Sequence, residues 1–93
     1  MTLKIIRRTE DGTTILKLSG RMRSEGLKEI RNQMEAPVMC NAFDLKEVTS
    51  VDADSVRFLG FCESEGARLL NCALYIREWI SREGRSATNP GAV

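Results

Sequence analysis

Hydrophobic residues recur along this chain with two periods, and the changes between them mark the elements. Residues 3–9 and 13–19 are short runs rich in Ile, Leu and Thr, separated by Glu10-Asp11-Gly12. Asp-Gly between apolar runs is a strong hairpin signal, because both residues tolerate positive φ. Ile15, Leu16 and Leu18 are the expected inward positions of the second strand, with Lys17 outward. After Gly20 the period lengthens. Leu27, Ile30 and Met34 fall at helical steps, with Ser24 as the expected cap and Glu25 supporting the first turn. Gly26 weakens this helix modestly, and Ala36-Pro37 ends it, because a residue before proline avoids the α region.

Residues 38–45 are mostly apolar, as in a strand covered on both faces. Asn41 interrupts the run and reads as an edge contact or loop start rather than a ligand. A short polar link carrying Val48 and Val51 follows, and a second helix runs from about Ala53 to Glu65, with Gly66 in the residue position just past its end. Residues 67–72 form a short strand candidate. Residues 74–83 read as a third helix with Tyr75, Ile76, Trp79 and Ile80 on one face. From Gly84 the chain is rich in Gly, Ser, Asn and Pro and reads as a disordered tail, residues 84–93. The order β-β-α-β-α-β-α predicts an α/β fold with one domain over residues 1–83. It is a mixed sheet of about four strands, begun by a hairpin, with three helices packed on it.

The stretch Phe43 to Leu59, FDLKEVTSVDADSVRFL, is the segment around which the rest is arranged. Asp52-Ala53-Asp54-Ser55 opens the second helix, where four N–H groups lack intrahelical partners and a carboxylate suits the positive end of the dipole. Taken alone, Asp52 and Asp54 read first as an ordinary helix start. Val56, Phe58, Leu59 and Cys62 span a wide inward face, whereas Phe61 falls nearer Asp54, Arg57 and Glu65. Phe61 is either the edge of the core or an aromatic anchor for a partner.

Composition narrows the chemistry. The 93 residues suffice for one domain, and a net charge of +1 from 14 basic and 13 acidic residues provides no field for nucleic acid. Arg21-Met22-Arg23 is the densest local basic group besides Arg7-Arg8, and neither is a long run. No apolar segment is long enough to span a bilayer and the N-terminus does not read as a signal peptide, so a cytoplasmic protein is expected. Cys40, Cys62 and Cys72 are odd in number and lack a CxxC spacing, which predicts reduced core residues. With no histidine there is no Ser-His-Asp triad and no ordinary zinc site, and there is no GxGxxG or Walker A sequence. Asp44, Asp52 and Asp54 are the remaining carboxylate cluster for acid–base work or Mg²⁺, a weaker reading. No enzyme, cofactor or metal is expected.

The same stretch resembles the central segment of STAS domains, the family of bacterial anti-sigma-factor antagonists. Asp44-Leu45, Val48, Val51 and Asp52 match that pattern without a gap, and Val56 keeps its aliphatic. Leu16-Lys17-Leu18-Ser19-Gly20 resembles the family's second strand. Ala53 stands where the family carries its phosphorylated serine, Asp54 replaces a second serine, and Ser55 replaces a glycine. The resemblance implies a protein-binding module whose partner is an anti-sigma factor that is also a serine kinase. It implies a partner surface of Asp52, Ala53, Asp54, Ser55, Arg57 and Phe61, with Arg21 to Arg23 on a neighbouring strand–helix loop. Ala53 cannot take the phosphate, so either binding is constitutive or Ser55, Ser50 or Thr49 takes it instead. A structural, non-switching subunit of a signalling assembly or of a lipid-transport ATPase complex fits as well. A homodimer is left open.

Overall fold

The computed structural model describes the backbone of residues 3–92 and the side chains of residues 3–83. A four-stranded mixed sheet in the order β1-β2-β3-β4 is built from β1 (Leu3–Glu10), β2 (Thr13–Met22), β3 (Asn41–Val51) and β4 (Arg68–Leu70). The β1–β2 pair is antiparallel and the other two pairs are parallel. Three helices, α1 (Leu27–Gln33), α2 (Ala53–Ser64) and α3 (Leu74–Ala92), complete the α/β domain expected from the pattern. The tail and domain limit expected from Gly84 fall on residues whose side chains lie outside the described part.

The hairpin forms as Asp11-Gly12 dictates. Glu10 pairs with Thr13, so the loop is two residues long, and both have positive φ, 51° and 80°. That turn matches the right-handed twist of the strands it joins. One face of the sheet presents Leu16, Leu18, Phe43 and Leu45 to Leu27 and Ile30 of α1, Val56 and Leu59 of α2, and Ile76 and Ile80 of α3. Phe43 meets Phe58 edge-on, with ring centroids 6.1 Å apart. Arg77 donates to both oxygens of Glu63 at 2.7 and 2.8 Å, tying α3 to α2.

Several sequence expectations need correction. The polar link carrying Val48 and Val51 is the second half of β3. Between Lys17 and Ser19, and again between Gly20 and Arg21, β3 advances one residue more than β2, which is a bulge each time. Each bulge displaces the alternation by one, so Leu45, Val48 and Val51 all face the core at steps of three. The strand also begins later than expected, because residues 38–40 form a 3-10 turn. Asn41 is no edge residue. It is 0% exposed, its Oδ1 accepts from the Glu35 N–H, and its Nδ2 donates to the Glu35 and Val38 carbonyls. Ile15 is buried as expected, but it pairs with Ala42 and, by alternation, lies on the face opposite Leu16. Arg21 belongs to β2 rather than to a loop. Ser24 makes no side-chain cap, and a 3-10 turn over Ser24–Gly26 precedes α1. Tyr75 is exposed, while Ile76 and Ile80 carry the buried face of α3.

Candidate functional site

β3 ends beside β2, with Val51 opposite Met22, and delivers Asp52 to the start of α2. Asp52 has extended backbone angles and its carboxylate serves two elements. Oδ1 accepts from the Ser55 N–H at 2.9 Å as the helix cap, and Oδ2 accepts from the Ser24 N–H at 2.9 Å. The Ser55 hydroxyl, 0% exposed, donates to the Met22 carbonyl at 2.8 Å, and the Asp52 N–H reaches the same carbonyl at 3.3 Å. The end of β2, the turn into α1 and the first turn of α2 are thereby one hydrogen-bonded unit. Burial pushes the Asp52 carboxyl up, but the bonds from Ser55 and Ser24, with Arg23 nearby, outweigh it and hold the group below the usual carboxylate value.

On this frame Ala53 is half-buried at the first helical position and Asp54 is exposed beside it. Arg57, one turn on, donates to Asp54 at 2.9 Å and to Glu83 of α3 at 3.3 Å. Phe61 follows one turn later with 58% of its surface exposed, so it lies outside the core rather than at its edge. Of the residues expected at the partner surface, Asp52, Ala53, Asp54, Arg57 and Phe61 are brought to one end and flank of α2. The Ser55 side chain points inward and is not on that surface. Arg23 is near enough to Asp52 to lower its carboxyl and also pairs with Glu25 at 4.0 Å. Arg21 lies opposite Met22 in its strand and so on the other face of the sheet.

The carboxylates do not form one centre. Asp44 is held below the usual value first by the Asn71 amide at 3.0 Å, against some burial, with help from the Lys46 N–H at 3.1 Å and the charges of Lys17 and Arg8. It fastens the chain leaving β4 to the middle of β3. Among the described residues no group of three or more His, Cys, Asp or Glu side chains is placed to hold a metal ion. No helix among them is long and apolar enough to cross a membrane.

Sequence reasoning missed the groove beside this surface. Between α1 and α2 a trough of about 300 Å³ has Arg31, Met34, Glu35, Val38, Phe58 and Phe61 among its lining residues. It continues past Phe58 toward Asp54 and Arg57. The Arg31 guanidinium lies 5.2 Å from the Phe58 ring centroid. The exposed aromatic off the apolar stripe was the one signal of it in the sequence.

No family model matches the chain, and no curated protein matches it. Among solved structures, that of the anti-sigma factor antagonist SpoIIAA in its unphosphorylated form is similar with a TM-score of 0.63 and 14% identity, over 82% of this chain and 78% of that one. A structure of Mglu is similar at a TM-score of 0.49 and 19% identity, over 70% of this chain and 18% of that chain. At 14% identity the likeness to SpoIIAA establishes the fold, and the STAS-like architecture expected from residues 43–59 is the one this chain adopts.

Proposed function

We propose that this chain is a non-catalytic, anti-sigma-antagonist-like module that binds a kinase-like anti-sigma factor through the start and flank of α2, in the cytoplasm of a bacterium. Binding would free a sigma factor and so act on transcription. The observation that carries this reading is the locked start of α2. Asp52 and Ser55 fix the backbone from beneath, leaving Ala53, Asp54, Arg57 and Phe61 as an outward surface on a fold shared with an anti-sigma factor antagonist.

The same geometry supports a partner contact that phosphate does not switch. Ala53 has no hydroxyl, at the position the STAS resemblance gives to the phosphorylated serine. The Ser55 hydroxyl is buried and engaged, so a kinase reaches it only if the first turn of α2 opens. A phosphate adds nearly two negative charges, and Asp52 and Asp54 already place negative charge around this helix start.

The test has two arms. Tagged protein is used to capture partners from native lysate, with identification by mass spectrometry. The captured kinase is then incubated with the chain and ATP, and intact mass is measured. Recovery of a small kinase-like ATPase with unchanged mass supports the reading. A gain of one phosphate at Ser55, Ser50 or Thr49 overturns constitutive binding. Recovery of transporter subunits or other STAS proteins instead makes the chain a structural subunit and removes the sigma-factor role.

A further inference from the structure

The groove between α1 and α2 has a charge pattern of its own. Asp54 is occupied by Arg57, Arg57 is also engaged by Glu83, and Glu35, which lines the trough, is paired with Arg7. Arg31 is the exception. It lines both halves of the groove, lies over the Phe58 ring, and has no carboxylate within ion-pairing distance among the described residues. Beside it stand Met34, half-buried Val38 and Phe61, the last one of the most exposed large apolar side chains of the described part. An unpaired cation stacked on an aromatic floor, next to an apolar trough, is complementary to an acidic–apolar ligand. A cationic ligand would meet Arg31 and Arg57 together.

From this we infer that the α1–α2 groove receives an acidic amphipathic segment of a partner protein. One of its apolar side chains inserts between Met34, Val38 and Phe61, and one of its carboxylates pairs with Arg31. The inference rests on the reading of the chain as a protein-binding module and adds the chemistry of what it binds. Phe58 fixes the site because it is itself anchored in the core against Phe43, so the floor of the groove does not depend on the partner for its shape. Aromatic and arginine side chains in such a setting supply most of the binding energy of small interfaces, and desolvation on docking strengthens the cation–π contact of Arg31 with Phe58.

The experiment uses a synthetic amphipathic peptide of about four helical turns with leucines on one face and glutamates beside them, and a second peptide with lysine in place of every glutamate. Each is titrated into ¹⁵N-labelled protein. The acidic peptide is expected to shift the amide signals of Met34, Phe58 and Phe61, the lysine peptide to leave them unmoved, and Arg31→Glu to weaken the acidic peptide at least tenfold. Arg31→Lys is expected to lose less than Arg31→Glu, since it retains the charge. The exposed position of Arg31 leaves the fold intact in both variants, which the signal dispersion verifies. Equal binding of the two peptides, shifts confined to other surfaces, no shifts at all, or an unchanged affinity in Arg31→Glu would each overturn the inference. The titration contains no kinase, so its outcome is independent of whether the sigma-regulating partner is the right one. A captured kinase indifferent to Arg31→Glu sinks the groove and leaves the proposed function standing.

Discussion

Replacing Asp52 by alanine removes a carboxylate that serves two elements at once, and the cost follows from what each oxygen does. Oδ1 caps α2 through the Ser55 N–H, and loss of such a cap costs about 1 kcal/mol. Oδ2 holds the Ser24 N–H, and a hydrogen bond to a charged acceptor contributes about 1.5 kcal/mol at the low end that suits a half-exposed site. The sum, about 2.5 kcal/mol, corresponds to a fall in Tm of roughly 10–20 °C for a domain of this size. Asp52→Asn retains one acceptor oxygen but turns an amide donor toward the other N–H, so it should lose about half as much. Urea unfolding followed by circular dichroism measures both, with an unchanged m-value as the sign that only stability has moved. The pH dependence has a definite sign. The Asp52 carboxyl is depressed in the folded protein, so its stabilisation is complete above the unfolded value of about 3.9 and is lost as pH falls through the lower folded value. The gap between wild type and Asp52→Ala should therefore be full at neutral pH and shrink in strong acid. A loss under about 0.5 kcal/mol at neutral pH, or Asn as costly as Ala, would refute the two-bond account.

Other expectations follow from the same geometry. Ser55→Ala should cost about 1 kcal/mol in the same assay, because the Met22 carbonyl keeps the Asp52 N–H as a partner after the hydroxyl is gone. Asn41→Ala should cost more, about 3 kcal/mol, since it strips partners from the Glu35 N–H and from two carbonyls around the Ala36-Pro37 turn; a loss under about 1 kcal/mol would show that water replaces them. Cys62 is buried, which pushes its thiol up to about 11, so iodoacetamide should label Cys40 first and Cys62 only in denaturant, as read by peptide mass mapping. Arg57→Glu combined with Phe61→Ala should weaken partner capture while moving stability by about 1 kcal/mol or less, since both side chains are exposed and surface ion pairs contribute little; unchanged capture would relocate the interface.

Local signals made much of this fold legible, and its irregularities hid the rest. Asp11-Gly12 demands positive φ at two adjacent residues, and the hairpin is where that demand places it. Asp52 announces a helix start, and Gly66, with φ of 104°, announces a helix end. The second half of β3 was hidden because two bulges turn its alternation into a period of three, which reads as a link rather than a strand. Asn41 misled for the opposite reason. Its polarity argued against burial, but three backbone groups of the turn before β3 satisfy its side chain. The outward surface of α2 was visible as Asp54, Arg57 and Phe61 off the apolar stripe. The inward aim of Ser55 was not, since it depends on where the Met22 carbonyl lies across the sheet. The groove required α1 and α2 to be placed side by side, and nothing local to either helix specifies that.

The central claim is that the first turns of α2 meet a protein partner directly. The most direct measurement places the photo-crosslinking residue p-benzoylphenylalanine at Ala53 in one strain and at the exposed sheet residue Ile6 in another, with irradiation in living cells and mass spectrometry of the adducts. The account predicts one dominant adduct from position 53, a small kinase-like ATPase, and its absence from position 6. Adducts of equal identity and yield from both positions, or none from position 53, would contradict it.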